Sequence, residues 1–309
     1  MDSLSDIIYK ALKVSARNWD KTRRYTNRYS FLDNRKNSDK LILILAGYQE
    51  YVWDDVFGRI KKYAPIEYDV CVVSPGKHVD KIYEMCCKNK WSYLSVKANK
   101  LAMALNTAIK LHPQANYIFK LDEDIFVCEH FFDGLVDLHM QVVREGIYKV
   151  GFVAPTMNIN GASYRYFLKK IGRLAEYEEK FGIAAVTCDE HPVYKSGEAG
   201  LELWKYSLPL DATSKSFYES ENGYFTAPMR YSIGAIMITR ERWNDAGGFI
   251  SSGNGQLAWD ELCLCAYCFN YSASIIVSKN IFAGHFGFGP QKKTIVPFYN
   301  ENKDLFGVN

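Results

Sequence analysis

This chain has no long apolar run, no pair of CxxC motifs and no large excess of charge of either sign, and each absence removes a class of protein. Its longest uncharged stretch beyond the first strand, Leu262 to Ser278, is interrupted by Asn270 and by serine and tyrosine hydroxyls. That falls short of the roughly 18–20 apolar residues of a membrane-spanning helix. Residues 1–40 lack an uninterrupted apolar segment and a small-residue cleavage site, so no secretory leader is expected and the cytosol is the expected compartment. The eight cysteines include Cys86-Cys87 and the Cys263, Cys265, Cys268 group, all within apolar, element-like segments. Without a second CxxC they read as buried small side chains, not as a zinc site or a disulfide framework. What is present is ordinary for a globular protein: 309 residues, 48% hydrophobic, 24% charged, with 38 Lys+Arg against 35 Asp+Glu and a formal charge of +3. Disorder and repeat arrays are excluded, and the length suits one large domain or two closely packed ones.

The charge is uneven. Residues 1–40 carry ten Lys/Arg against five Asp, a net of +5, which leaves −2 for the rest. Ile7, Ile8, Leu12 and Val14 add an imperfect helical stripe beside those cations. The segment is expected to be a basic helical extension, packed on the body or in peripheral contact with an anionic membrane surface. Beyond it no basic stripe with interleaved aromatics appears, so nucleic acid is not an expected partner.

From residue 41 short apolar runs alternate with helical stretches, the pattern of a sheet buried on both faces. Strands are expected at Leu41–Leu45, Tyr68–Val73, Trp91–Val96 and Tyr117–Leu121, with helices to about Tyr63, through Met85, and from Asn99 to Leu111. This is the open α/β, nucleotide-binding type of half domain, which takes ligands beyond the carboxyl ends of its strands. The second half is less regular. A strand is expected near Val150–Ala154, a long helix over Gly161–Phe181, a polar loop region over 187–225, strands over Tyr231–Thr239 and Ser274–Val277, and a helix from Trp259 through Phe269. The glycine-rich tail around Gly284–Pro290 reads as loop.

The strongest chemical signal is Asp122-Glu123-Asp124, directly after an apolar strand. Strand alternation puts Asp122 and Asp124 on one side, where two carboxylates without a basic neighbour repel each other. A bound dication cancels that cost, and oxygen ligands at this spacing suit magnesium or manganese shared with substrate phosphates.

The order of signals along the chain (the Ala46-Gly47 turn, Asn99-Lys100 through Asn106, the aspartates, Gly247-Gly248-Phe249, Asp260-Glu261, then His285) resembles the GT-A glycosyltransferases, most closely the bacterial family 2 enzymes. The likeness spans about residues 41–289. It implies a GT-A type open, mostly parallel, Rossmann-like sheet flanked by helices in one catalytic domain, 41–309. That domain would comprise a nucleotide-sugar half (41–155) and an acceptor half (156–309) ending in a loop or lid. The resemblance implies that Ala46, Gly47, Tyr48, Ser74, Asn99, Lys100, Asp122 and Glu123 bind the donor, and that Asp124, Asp122 and His285 hold Mn2+ or Mg2+. It further implies that Asp260 or Glu261 is the catalytic base, Asp260 being favoured. Ser74-Pro75-Gly76 stands where family members often carry a base-recognising acid. The implied activity is inverting transfer from a nucleotide-sugar to a glycan or lipid-linked glycan in surface polysaccharide or lipooligosaccharide assembly.

The chemistry has its own logic. A cation on Asp124 stabilises the leaving diphosphate as its charge grows, and a carboxylate such as Asp260 accepts the acceptor's proton in one in-line displacement. Trp259 and Tyr231 are the expected acceptor platforms, since a ring buries the C–H face of a sugar. Lys292-Lys293 are expected on a lid over 287–309 that excludes water. Two other readings share these features: a nucleotidyltransferase, although its usual glycine-rich basic loop is replaced here by Ala46-Gly47-Tyr48-Gln49-Glu50, and a non-catalytic sugar- or nucleotide-binding module.

Overall fold

The computed structural model describes residues 24–186, 191–251 and 258–308. Most of the basic extension expected over 1–40 lies outside the described residues. The part that is described is partly strand: β1 (Tyr29–Leu32) pairs antiparallel with β4 (Ser92–Val96), in register Tyr29↔Val96.

The described residues form a ten-stranded mixed sheet in the order β1-β4-β3-β2-β5-β9-β7-β10-β6, with β8 also paired to β10. Four parallel strands make its first half: β4, β3 (Asp69–Pro75), β2 (Lys40–Leu45) and β5 (Tyr117–Asp122). Leu41 to Ile44 are fully buried because helices cover both faces, which is why these strands are continuous apolar runs. The covering helices are α1 (Trp53–Tyr63), α2 (Asp80–Asn89) and α3 (Leu101–Leu111); α1 buries Trp53, Val56, Phe57 and Ile60.

The second half continues the same sheet. After β6 (Ile125–Phe126) and α4 (Phe131–Glu145) comes β7 (Lys149–Met157), which pairs parallel with the last strand, β10 (Ala273–His285). Strand β9 (Ala235–Thr239) is antiparallel to β5 and β7 and lies between them, so the sheet is mixed and not mostly parallel. Strand β8 (Tyr224–Thr226) lines β10 antiparallel.

Three expectations are corrected. The helix expected over Gly161–Phe181 is two, α5 (Tyr164–Lys170) and α6 (Leu174–Phe181), separated at Gly172, whose φ of +71° takes the chain out of helix. The supposed polar loop 187–225 holds α7 (Pro192–Lys195), α8 (Gly197–Ser207) and α9 (Leu210–Tyr218), whose solvent faces are polar while Leu203, Trp204, Leu210 and Phe217 are buried. After α10 (Arg240–Asp245) and α11 (Trp259–Asn270), the tail expected as a lid contains α12 (Lys292–Glu301). Ile295, Tyr299 and Phe306 there have no exposed surface, and Phe306 packs 4.8 Å from the Trp204 ring and 5.6 Å from Phe126. A segment that completes the core is not a lid. No helix among the described residues is long and apolar enough to cross a membrane.

The Gly247-Gly248-Phe249 turn is pinned by one buried amide. Asn106 Nδ2 donates to Phe249 O at 2.7 Å, while its Oδ1 accepts from Phe249 N at 3.0 Å and Trp243 Nε1 at 3.2 Å. Asn106→Ala leaves these buried groups without partners. It is expected to lower unfolding stability by about 2–4 kcal/mol in denaturant titration.

Candidate active site

The carboxyl ends of the four parallel strands meet at one edge of the sheet, where loops supply the side chains. After β2, Ala46 N donates to Val73 O at 3.0 Å and Ser74 Oγ donates to Ala46 O at 2.9 Å, so both residues are interior and shape the loop instead of reaching a ligand. Gly47 has φ +146°, and a Cβ there would lie 3.1 Å from Lys77 Cε. Glycine therefore lets the next residue turn outward. Tyr48 is 58% exposed; its hydroxyl lies 3.1 Å from Pro75 O and 3.0 Å from Asn99 Oδ1, with Lys77 Nζ 4.2 Å from its ring centre. Asn99 and Lys100 are exposed on the same rim, just before α3. Of the residues expected at the donor, Tyr48, Asn99 and Lys100 thus present side chains, with Lys77 as an addition.

The Asp122-Glu123-Asp124 turn separates three carboxylates into three roles. Glu123 is 5% exposed and faces inward. It accepts from Gly47 N at 2.8 Å, Tyr48 N at 3.0 Å and Trp53 Nε1 at 2.6 Å, so it holds the β2 loop and is not free for a donor. Asp122 Oδ1 accepts from Lys120 Nζ at 2.6 Å, and that ammonium also donates to Ile233 O at 2.9 Å. The aspartate therefore has a basic neighbour, contrary to the expectation of an uncompensated pair. Desolvation holds the Asp122 carboxyl above its usual range, with Lys120 opposing and Asp124 adding to the shift. Lys120 occupies Oδ1, and Asp122 does not join Asp124 and His285 in a convergent group of three ligands among the described residues.

Asp124 is different. It is 4% exposed; its Oδ2 accepts from Gln49 Nε2 at 3.0 Å and Lys292 Nζ at 3.3 Å. Its Oδ1 faces His285 Nε2 across 3.9 Å, beyond hydrogen-bond range. Burial alone would raise this carboxyl, but the charges of His285 and Lys292 and the Gln49 hydrogen bond hold it below its usual range. His285 ends β10, with its backbone N–H on Asn158 Oδ1 at 2.9 Å and Nδ1 2.6 Å from Ile159 O. A carbonyl accepts only, so Nδ1 carries a proton toward Ile159 O, and Nε2 is the ring nitrogen that faces Asp124.

The metal expectation can be tested on this geometry. Among the described residues no three His, Cys, Asp or Glu side chains converge on one point, so no closed protein cage exists. Two metal bonds of about 2.1 Å exceed the 3.9 Å gap between Asp124 Oδ1 and His285 Nε2, so one ion can touch both atoms. Magnesium-type ions ordinarily use one or two protein ligands and complete their shell with water and substrate phosphate. The pair fits such an ion, with Asp122 removed from the set.

On the acceptor side, Glu261 in the first turn of α11 accepts from Arg230 Nε at 2.6 Å and Ile233 N at 3.1 Å. Burial raises its carboxyl, against the pull of Arg230 and the more distant Lys120. Asp260 has no hydrogen-bond or ion-pair partner among the described residues, and Trp259 is half-buried beside it. Tyr231 is corrected: it has no exposed surface and donates its hydroxyl to Pro155 O at 2.8 Å, so it is a core residue. Sequence reasoning missed Lys120, Gln49 and Asn158. The two-residue spacing of Lys120 and Asp122 on one strand face was the available signal for the first; the others come from distant loops.

Two outcomes follow. Glu123→Gln keeps one oxygen for the Gly47 and Trp53 N–H groups but sets an amide NH2 against the Tyr48 N–H, and is expected to cost about 1–3 kcal/mol in a denaturant titration. Asp124, with its folded pKa lowered, contributes stability that is complete above the unfolded value of about 4 and fades as pH falls through the folded value. Asp124→Asn is therefore expected to be less stable than wild type at pH 7, with the gap in melting temperature closing below about pH 4.

The sequence matches no protein-family model and no curated protein.

Proposed function

We propose that this chain is an inverting, metal-dependent glycosyltransferase that moves a sugar from a nucleotide-sugar, of the UDP type, to a glycan or lipid-linked glycan acceptor. The observation that carries the reading is the Asp124–His285 pair: a buried carboxylate oxygen and an imidazole nitrogen facing each other across 3.9 Å, at the end of the sheet where the strands point. Tyr48 offers a face for the base, while Lys77, Lys100 and Lys292 offer positive charge for the diphosphate. A divalent cation, manganese or magnesium, supplies Lewis-acid stabilisation of the leaving group when bound.

Asp260 is the base in this reading. Glu261 has both oxygens engaged and fixes the start of α11, whereas Asp260, one residue earlier, keeps its oxygens for a sugar hydroxyl. Trp259 then serves as the platform beneath the acceptor. The resemblance to bacterial family 2 suggests surface polysaccharide or lipooligosaccharide assembly on the cytosolic side of a membrane, which the basic N-terminal segment would contact.

Calorimetric titration of UDP, with and without manganese, tests the donor site. Binding is expected only with the cation and is expected to disappear in Asp124→Ala. Asp260→Asn is expected to keep that binding and to lower transfer by about 10²–10⁴. Near-normal transfer in Asp260→Asn together with loss in Glu261→Gln would move the base to Glu261. Binding without turnover across acceptors would favour a non-catalytic module, and diphosphate released from a nucleoside triphosphate would favour a nucleotidyltransferase.

A further inference from the structure

We propose that the Lys292 ammonium is a tethered competitor for the cation position on Asp124, so that a divalent ion enters by displacing it. The use of the released amine, toward a donor diphosphate, rests on the glycosyltransferase reading; the competition concerns only this chain and a bare ion.

Asp124 has two oxygens with unlike surroundings. Gln49 and Lys292 share Oδ2, whereas Oδ1 and His285 Nε2 face each other with no hydrogen bond between them. An ion touching Oδ1 and Nε2 would sit one carboxylate away from the ammonium at Oδ2. Two cations on one nearly buried carboxylate repel strongly, because the surrounding protein screens them poorly. Either the ion stays out or the ammonium leaves.

Lys292 is built to leave. It begins α12, and the backbone there is fixed: Gln291 Nε2 donates to Val193 O at 2.8 Å. Gly197 and Gly200 of α8 also lie so close that a Cβ on either would stand 2.0 Å from Thr294 Oγ1 or 2.8 Å from Gln291 Nε2. The amine instead rides on a flexible four-carbon stem that is 27% exposed. Its anchor is rigid while its charge can move. Lys293 is the natural control, an exposed neighbour of equal charge that makes no contact with Asp124 among the described residues.

The test is manganese titration of the full-length protein without nucleotide, followed by the electron paramagnetic resonance signal of free Mn2+. Lys292→Gln is expected to bind manganese about tenfold more tightly than wild type, the ratio expected for removing one charge-assisted hydrogen bond. Lys292→Arg and Lys293→Gln are expected to stay within about twofold of wild type, and Asp124→Asn to lose binding in both the wild-type and Lys292→Gln backgrounds. Equal affinity of wild type and Lys292→Gln, with binding still lost in Asp124→Asn, would overturn the competition and leave the metal site standing. A tightening in Lys293→Gln as large as in Lys292→Gln would overturn it too, since general charge would then explain the effect. Manganese binding that ignores Asp124 in every variant would overturn both this inference and the metal-dependent reading on which the diphosphate step rests.

Discussion

One inward-facing carboxylate organises the site. Glu123 collects two backbone N–H groups of the loop after β2 and the indole N–H of Trp53, and in doing so fastens that loop to the turn after β5. Charge-assisted bonds of this kind, out of water, are among the stronger polar contacts available. Because Glu123 takes the inward place, its neighbours Asp122 and Asp124 are left on either side of the turn for other partners. The outward setting of Tyr48 follows from the same anchor, since the N–H that Glu123 accepts is its own. A rim residue and the one candidate carboxylate ligand, Asp124, are thereby positioned by a side chain that touches no ligand.

The second constraint is topological. Strand β9 enters between β5 and β7 and runs antiparallel to both, so the loop that precedes it, residues 230–234, arrives beside the turn at the end of β5. There Ile233 joins the two halves: its carbonyl accepts from Lys120 and its N–H donates to Glu261. An uninterrupted polar path then runs from Arg230 through Glu261, Ile233 and Lys120 to Asp122. On the proposed reading this path ties the start of the acceptor helix α11 to the donor edge, so that the two substrates are held by one connected piece of structure.

How much of this was legible in the sequence depended on what a residue's partners were. Strands β2 to β5 were readable to within two residues because burial on both faces leaves an apolar run that no helix of that length would show. Strands β1, β6 and β8 were not, since an edge or very short strand needs no such run, and α8, α9 and α12 passed for loop because polar and small residues break up their apolar pattern. In the site, local relations were readable and distant ones were not. The aspartates and the late histidine are recognisable by order along the chain. That Glu123 points inward, that Ser74 and Ala46 lie under the loop and that Tyr231 belongs to the core are decided by packing, which a single sequence does not display.

The same distinction separates the two aspartates. Asp122 is paired with a lysine on its own strand face, two residues away, a pairing built into the pleat and kept as long as β5 is a strand. Asp124 is served by Gln49, His285 and Lys292, groups far apart in the chain, one of which sits on a flexible stem. The Lys120 ammonium is nearly buried and also bound to Ile233 O, whereas that of Lys292 is partly exposed, so the second compensation is the easier to exchange. An Asp-x-Asp sequence treats its two carboxylates as equals. Here the fold makes the first a fixed part of the frame and leaves the second as the position where a charge can be traded.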